Sequence, residues 1–418
     1  MLEVADAVAR ILAQITPREE ETVALPDALG RVLAHDVISP ITLPHWTNSA
    51  MDGYAVRGAD VSGASDTQPI ELPVLETIAA GAFATRPLGP GEATRIMTGA
   101  PLPEGADSVV RVEDTDAGIN RVRIFKDRDA GKNLRLRGED LHAGTVALPR
   151  GMTMGAAQGG ILASIGEATA RVHRRPRVAI VGSGDELVDL DRFDEVRAGR
   201  KIVSSNSYTI DALVRTAGGL PIGFGHAADT LASMRALLEA AVTAKPDLIV
   251  TSAGVSVGEF DHTRAALEAM GAEMGFWKVR MRPGAPLGFG IIRGIPWIGL
   301  PGNPVSVMVT FELFVRPVVR RMLGYARLHR RPVTVTLEES VSIGARLTHF
   351  LRAIVTPCAD GVLSARLTGP QGSGILTSMS LANALLIVPR ERPEVAAGEQ
   401  LTALLLTEDA GASERFAL

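Results

Sequence analysis

The chain has one cysteine, Cys358, among 418 residues. That excludes an intramolecular disulfide and any Cys-x-x-Cys metal site, and it suits a reducing compartment. Charge of one sign is also missing. The 43 basic and 47 acidic residues leave a formal net charge of -4, without the polycationic surface that nucleic acid demands. Long apolar runs are scarce. Residues 152–165 are uncharged but short and glycine-rich, and the run 295–311 is broken by Pro301 and Pro304. Neither supplies the ~20 apolar residues of a membrane span. Glu3 and Asp6 stand where a secretory signal needs positive charge. The eight histidines form no His-x-x-x-His pair and no dense group, which argues against zinc. Ser256 lies in Gly254-Val-Ser-Val-Gly258, the spacing of a nucleophile elbow. The downstream His262 stands too near to serve as its triad partner, which argues against a serine hydrolase. The expectation is a soluble cytoplasmic protein that contacts neither nucleic acid nor membrane.

What is present divides the chain by its periodicity. Val4, Val8, Ile11 and Leu12 have helical spacing and end before Pro17. Between Pro40 and Pro149 the helical period largely disappears. Short β-branched or alternating runs are separated there by Pro-Gly, Gly-Ala and Asp-Ala-Gly, the pattern of a β-rich module. Residues 152–165 suggest a small packed helix at a hinge. From Arg177 to Leu323 apolar strands at 178–181, 248–251 and 295–300 alternate with helices. Ile210, Leu213, Val214 and Ala217 form one apolar stripe, and Leu231, Met234 and Leu238 another. This alternation predicts a parallel α/β sheet covered on both faces. After Arg331 the pattern is β again. The predicted boundaries are 1–44 for the N-terminal helix and first hinge part, 45–142 for the β module and 143–175 for the second hinge part. The α/β domain follows at 176–328, and a C-terminal β domain at 329–411.

Three glycine turns follow the α/β strands, where ligands of such sheets bind. Gly-Leu-Pro-Gly-Asn-Pro-Val-Ser at 299–306 restarts as a helix at Pro304, with Asn303 placed to cap it and free amides facing an anion. Gly182-Ser-Gly-Asp-Glu-Leu187 is not a dinucleotide fingerprint. Its carboxylates are either a solvated acidic loop or, beside a phosphate, the ligands of a mediating Mg²⁺. Ser252 and Ser256 can donate to phosphate oxygens, as can amides near Gly254 and Gly258. Asp261 and Asp229 precede helices and are either caps or metal contacts. Read as one strand, residues 276–284 put Lys278, Arg280 and Arg282 on one face. That face is either a solvated basic edge or an oxyanion site. In the β module, Asp52 before Gly53, Thr98 before Gly99, and Asp140 after Gly138-Glu139 fit ordinary turn chemistry or a cleft completed by domain closure or across a dimer.

Met51-Asp-Gly-Tyr-Ala-Val56, Gly138-Glu-Asp140, Gly182–Leu187, Gly254–Gly258 and Gly299–Ser306, in this order, resemble the molybdopterin molybdenumtransferase (MoeA-like) family of molybdenum cofactor biosynthesis. The resemblance spans nearly the whole chain. It implies a multidomain α/β and β fold, with a central sheet domain of molybdopterin-binding type, an inserted β-rich module, a small hinge domain and a C-terminal β domain. The implied activity inserts molybdate into adenylyl-molybdopterin with release of AMP, aided by Mg²⁺. The implied assembly is a homodimer whose active-site cleft is shared between subunits, with a contact to the molybdopterin adenylyltransferase. Asp52, Thr98, Asp140, Glu186, Asp229, Lys278 and Arg282 match catalytic cleft positions. Gly182, Ser183, Gly184, Ser252, Gly254, Ser256, Gly258, Arg280, Pro301, Gly302, Asn303 and Pro304 are expected to contact the pterin nucleotide, and Glu186, Asp261 and Asp229 the metal. Arg282 and Ala285 replace lysines of the family motif, and Ala253 a glycine. Arg282 keeps the charge but turns a point cation into a planar fork. Two other activities share the chemistry: ATP-dependent adenylylation of molybdopterin, and a non-enzymatic pterin carrier or scaffold.

Overall fold

The computed structural model describes residues 1–254, 262–358 and 361–407. They form two compact units, one of residues 35–150 and 156–169, the other of residues 1–34, 151–155 and 170 onward. Ser256, Gly258 and Asp261 lie outside the described residues.

In the smaller unit the short alternating runs become strands. They are β1 (Asn48–Ser49), β2 (Gly53–Val56), β3 (Ile70–Ile78), β4 (Ala93–Ile96), β5 (Ser108–Arg111), β6 (Arg121–Ile124) and β7 (Leu134–Arg135). Five form a sheet in the order β5-β2-β4-β3-β6, with only the β3–β4 pair parallel. In β6, Arg121 and Arg123 point to solvent while Val122 and Ile124 are buried, the period-two pattern of a one-sided sheet. Tyr54 is fully buried and donates its hydroxyl to the Gly118 carbonyl at 2.8 Å, which keeps its polar tip satisfied. β1 pairs β7 antiparallel, setting Asn48 opposite Arg135. The helix expected at 152–165 is found at Ala156–Ser164.

The larger unit holds α1 (Val4–Leu12), β8 (Arg177–Ser183), α2 (Ser205–Thr216), β9 (Leu220–Ala227), α3 (Leu231–Thr243), β10 (Leu248–Ser252), β11 (Glu273–Lys278), β12 (Pro286–Ile292), β13 (Ile295–Leu300) and α4 (Pro304–Thr310). The sheet order is β9-β8-β10-β13-β12-β11. The first four strands run parallel, and β12 and β11 add an antiparallel extension. Alternation along the strands feeds two cores. Val178, Ile180, Val250 and Ile298 face α2, α4 and α1, burying Ile210, Val214 and Ile11 with them. Ala179, Val181, Ile249 and Trp297 face α3, with Met234 and Leu238. Each such side chain contributes about 1.5–3 kcal/mol of burial, so a charge at Val250 would break both the strand and its core.

The C-terminal strands β14 (Pro332–Leu337), β15 (Thr348–Pro357), β16 (Leu363–Leu367), β17 (Ala384–Val388) and β18 (Gln400–Leu405) close on themselves. The pairings β15–β16, β16–β14, β14–β18, β18–β17 and β17–β15 make a five-stranded barrel without a free edge. Among the described residues no helix is long and apolar enough to cross a membrane.

Candidate functional site

The carboxyl ends of β8, β10 and β13 open on one cleft of about 670 Å³. Ser183 and Ser252, both buried, line its floor with Gly254, Pro301, Gly302, Asn303 and Pro304. Glu186, Arg282 and the first turn of α2 line its sides. β8 runs through Gly182 and Ser183, so these two residues end a strand where a turn was expected. Gly184 follows at φ 143°, and a Cβ there would stand 2.6 Å from the Glu186 carboxylate. Only glycine leaves room for that acid to fold back.

The turn into α4 corrects one expectation. Asn303 occupies the N-cap position, but its side chain makes no capping bond. Its amide donates instead to the Ser373 hydroxyl at 3.0 Å, while Pro304 takes the first turn of the helix. From the opposite side Asn206 donates to the Gly302 carbonyl at 2.8 Å, and its buried Oδ1 has no partner among the described residues. An unpartnered acceptor on a cleft wall suits a ligand that brings a donor.

The basic stretch is not one strand. Lys278 ends β11 opposite Pro286, whereas Met281–Arg282 pairs in parallel with β15 of the barrel. Val279 and Met281 are buried and Arg280 and Arg282 exposed, so the alternation survives the change of sheet. The three cations nevertheless separate. Arg280 bonds Glu3 at 3.2 Å, an acid shared with Arg390 at 2.7 Å, so it does not stand in for the cation missing at Ala285. Lys278 is absent from the cleft wall. Arg282 lines the cleft beside Ala285, without an ion-pair partner among the described residues. Its open fork can take two oxygens of an oxyanion at once.

Asp229 does not cap α3; Thr230 does, accepting from Ser233. Asp229 and Asp185 instead trade bonds, each carboxylate accepting the other's backbone amide at 3.1–3.3 Å. Among the described residues no group of three His, Cys, Asp or Glu side chains is arranged to hold a metal.

In the smaller unit Asp52 and Thr98 meet directly. The Thr98 amide and hydroxyl both donate to Asp52 Oδ1, at 2.7 and 2.8 Å. These bonds, amide first, with Arg95 nearby, hold the Asp52 carboxyl below the usual aspartate range. Asp140 is exposed, its amide bonded to the Leu43 carbonyl at 3.2 Å.

Two features escaped sequence reading. Ser373, in the glycine-rich loop 369–374, reaches the cleft wall. The fully buried Arg352 shapes that loop: its guanidinium donates to the carbonyls of Pro370, Gln371 and Gly372 at 3.0–3.1 Å and to the Ser378 hydroxyl at 3.0 Å. Burial lowers its pKa from the ordinary arginine value. The loop's glycines were a visible signal, whereas the buried arginine, a strand residue by pattern, was not.

Comparison with known proteins covers the same ground. Residues 2–166 match the MoeA N-terminal region (domain I and II), 179–321 a probable molybdopterin binding domain, and 334–406 the MoeA C-terminal region (domain IV). Over 392 residues the chain is 41% identical to molybdopterin molybdenumtransferase 2 of Mycobacterium tuberculosis H37Rv, covering 92% of this chain and 95% of that one. It is 35% identical over 414 residues to the molybdopterin molybdenumtransferase of Bacillus subtilis 168, covering 98% and 95%. The crystal structure of the molybdopterin biosynthesis MoeA protein from Pyrococcus horikoshii OT3 superimposes with a TM-score of 0.83 at 27% identity, over 97% of this chain and 100% of that one. With relatives matching it almost end to end and all three regions in order, the chain belongs to the molybdopterin molybdenumtransferase (MoeA) family.

Proposed function

We propose that this chain inserts molybdate into adenylyl-molybdopterin and releases AMP. The observation that carries the reading is the exposed Arg282, without an ion-pair partner among the described residues, on the wall of a serine- and glycine-floored cleft at three strand ends. Ser183 and Ser252, with the amides of the 301–303 turn, bind the nucleotide's phosphates; Arg282 attracts molybdate and offsets its charge beside them. Water adds to a phosphorus of the phosphoanhydride, forming a new P–O bond as the bridging one breaks, so that AMP leaves as a stabilised anion and molybdopterin keeps its own phosphate. Glu186, with Asp229 and Asp261, would hold Mg²⁺, which when bound neutralises phosphate charge next to these acids. The adenylylation and carrier readings are disfavoured because the similarity runs through the flanking regions as well as the central domain.

The same reading makes the protein a cytoplasmic homodimer, with Asp52, Thr98 and Asp140 serving the cleft of the other subunit. Purified protein given adenylyl-molybdopterin is expected to release AMP only when molybdate is added. ATP consumption without molybdate would instead assign the adenylyltransferase reaction. Tight pterin binding without AMP release would assign the carrier. Glu186→Gln homodimers mixed with Asp52→Ala homodimers should regain activity after subunit exchange, and no recovery despite verified exchange rejects the shared cleft.

A further inference from the structure

The surface that carries Asp52 and Thr98 also carries two large exposed aromatic rings. Trp46 is 39% exposed and Phe83 61%, and their rings meet edge to face with centroids 5.0 Å apart. His45 stands beside Trp46, with centroids 5.7 Å apart. The backbone explains the grouping. Segment 47–49 runs antiparallel to 99–102, Ser49 O accepting from Gly99 N beside the Thr98 turn and Thr47 O from Leu102 N, so Trp46 continues the same segment three residues on from Ser49. β3 and β4 end side by side, Ile78 opposite Ile96, and the Phe83 turn leaves the sheet there. On the other flank β7 pairs β1, and the Arg137 amide bonds the Thr47 hydroxyl at 3.2 Å. Arg135 and Arg137 are exposed and without an ion-pair partner among the described residues.

An edge-to-face pair uses one of its four ring faces, so stacking surface remains open. Two free arginine forks beside it suit a phosphate, and the exposed Asp140 carboxylate can accept from a hydroxyl. Ring, hydroxyls and phosphate together describe a nucleotide better than a bare heterocycle. We propose that Trp46, Phe83, Arg135 and Arg137 form a recognition surface for the adenosine monophosphate moiety of the nucleotide substrate, the aromatic pair stacking on the purine and the arginines pairing with its phosphate. This inference rests on the reading that the reaction releases AMP.

Calorimetric titration of the full-length protein with AMP tests it without turnover. Wild type is expected to bind AMP, and Trp46→Ala with Phe83→Ala to weaken binding at least about fivefold, as loss of one base stack does. Arg135→Ala with Arg137→Ala should weaken it and flatten its salt dependence, while Trp46→Phe should restore most of it. All four side chains are exposed, so unchanged thermal unfolding is the control. AMP binding equal in wild type and variants overturns the proposal, as does a site that prefers 6-hydroxymethylpterin to AMP. If wild type binds no AMP in isolation yet releases it in a molybdate-dependent manner, this proposal fails and the proposed function stands. If no molybdate-dependent release occurs at all, the proposed function fails first.

Discussion

Thr98 spends both its amide and its hydroxyl on a single oxygen of Asp52. The other carboxylate oxygen takes no part in these bonds, which hold the carboxyl below the usual aspartate range. Because its folded pKa is lowered, any stability it contributes is present above the unfolded value and lost as pH falls through the folded one. Thr98→Val removes the hydroxyl but keeps the amide. The Asp52 pKa, followed by carboxyl NMR, is expected to rise towards its ordinary value without reaching it. An unchanged titration would show that the hydroxyl bond contributes nothing.

Ala253 sits at φ 69°, a left-handed backbone that costs an alanine about 1–2 kcal/mol. Ala253→Gly relieves the strain while adding freedom to the unfolded chain, so a net gain of about 0.5–1 kcal/mol is expected from denaturant unfolding. A loss would mean that the methyl group packs usefully at the cleft.

Asp247 is buried at the start of β10, where burial alone would raise its pKa. Bonds from Arg174 at 2.6 and 2.7 Å and from the Arg177 amide at 2.7 Å outweigh that, and the net shift is downward. Asp247→Asn leaves Arg174 with only the exposed Glu19, at 2.7 Å, as counter-charge and should destabilise the protein by roughly 1–2 kcal/mol, less than a fully buried pair would lose. The effect should be largest near neutral pH and shrink as the pH of the unfolding experiment falls through the depressed carboxyl pKa.

Arg352→Met fills similar volume but strands three loop carbonyls. These part-buried acceptors lose their shared donor, so loop 369–374 should open before the barrel does. Hydrogen exchange of the Val305 amide, which bonds the Ser373 carbonyl, reports this. Faster exchange there with unchanged exchange in β17 is expected.

The parts of this fold legible in the sequence are those written in local period. Strands 178–181, 248–251 and 295–300 were readable because apolar runs end in glycine turns, and the α2 stripe because one face repeats. The break after Lys278 was not. Alternation of Val279 and Met281 with Arg280 and Arg282 continues across it, so a change of hydrogen-bonding partner leaves no mark in the pattern. Asn303 followed the rule for a cap, yet a residue seventy positions away offered its side chain another partner. Ser373 and Arg352 enter the site through such distant pairings, which composition and spacing do not encode.

The crossover at Met281–Arg282 has a mechanical meaning. Its backbone leaves one sheet and is clamped by the next within three residues, so the Arg282 guanidinium on the cleft wall is aimed by both sheets together. A change in the barrel's packing, even far from the cleft, would be transmitted along this strap as a displacement of charge on that wall.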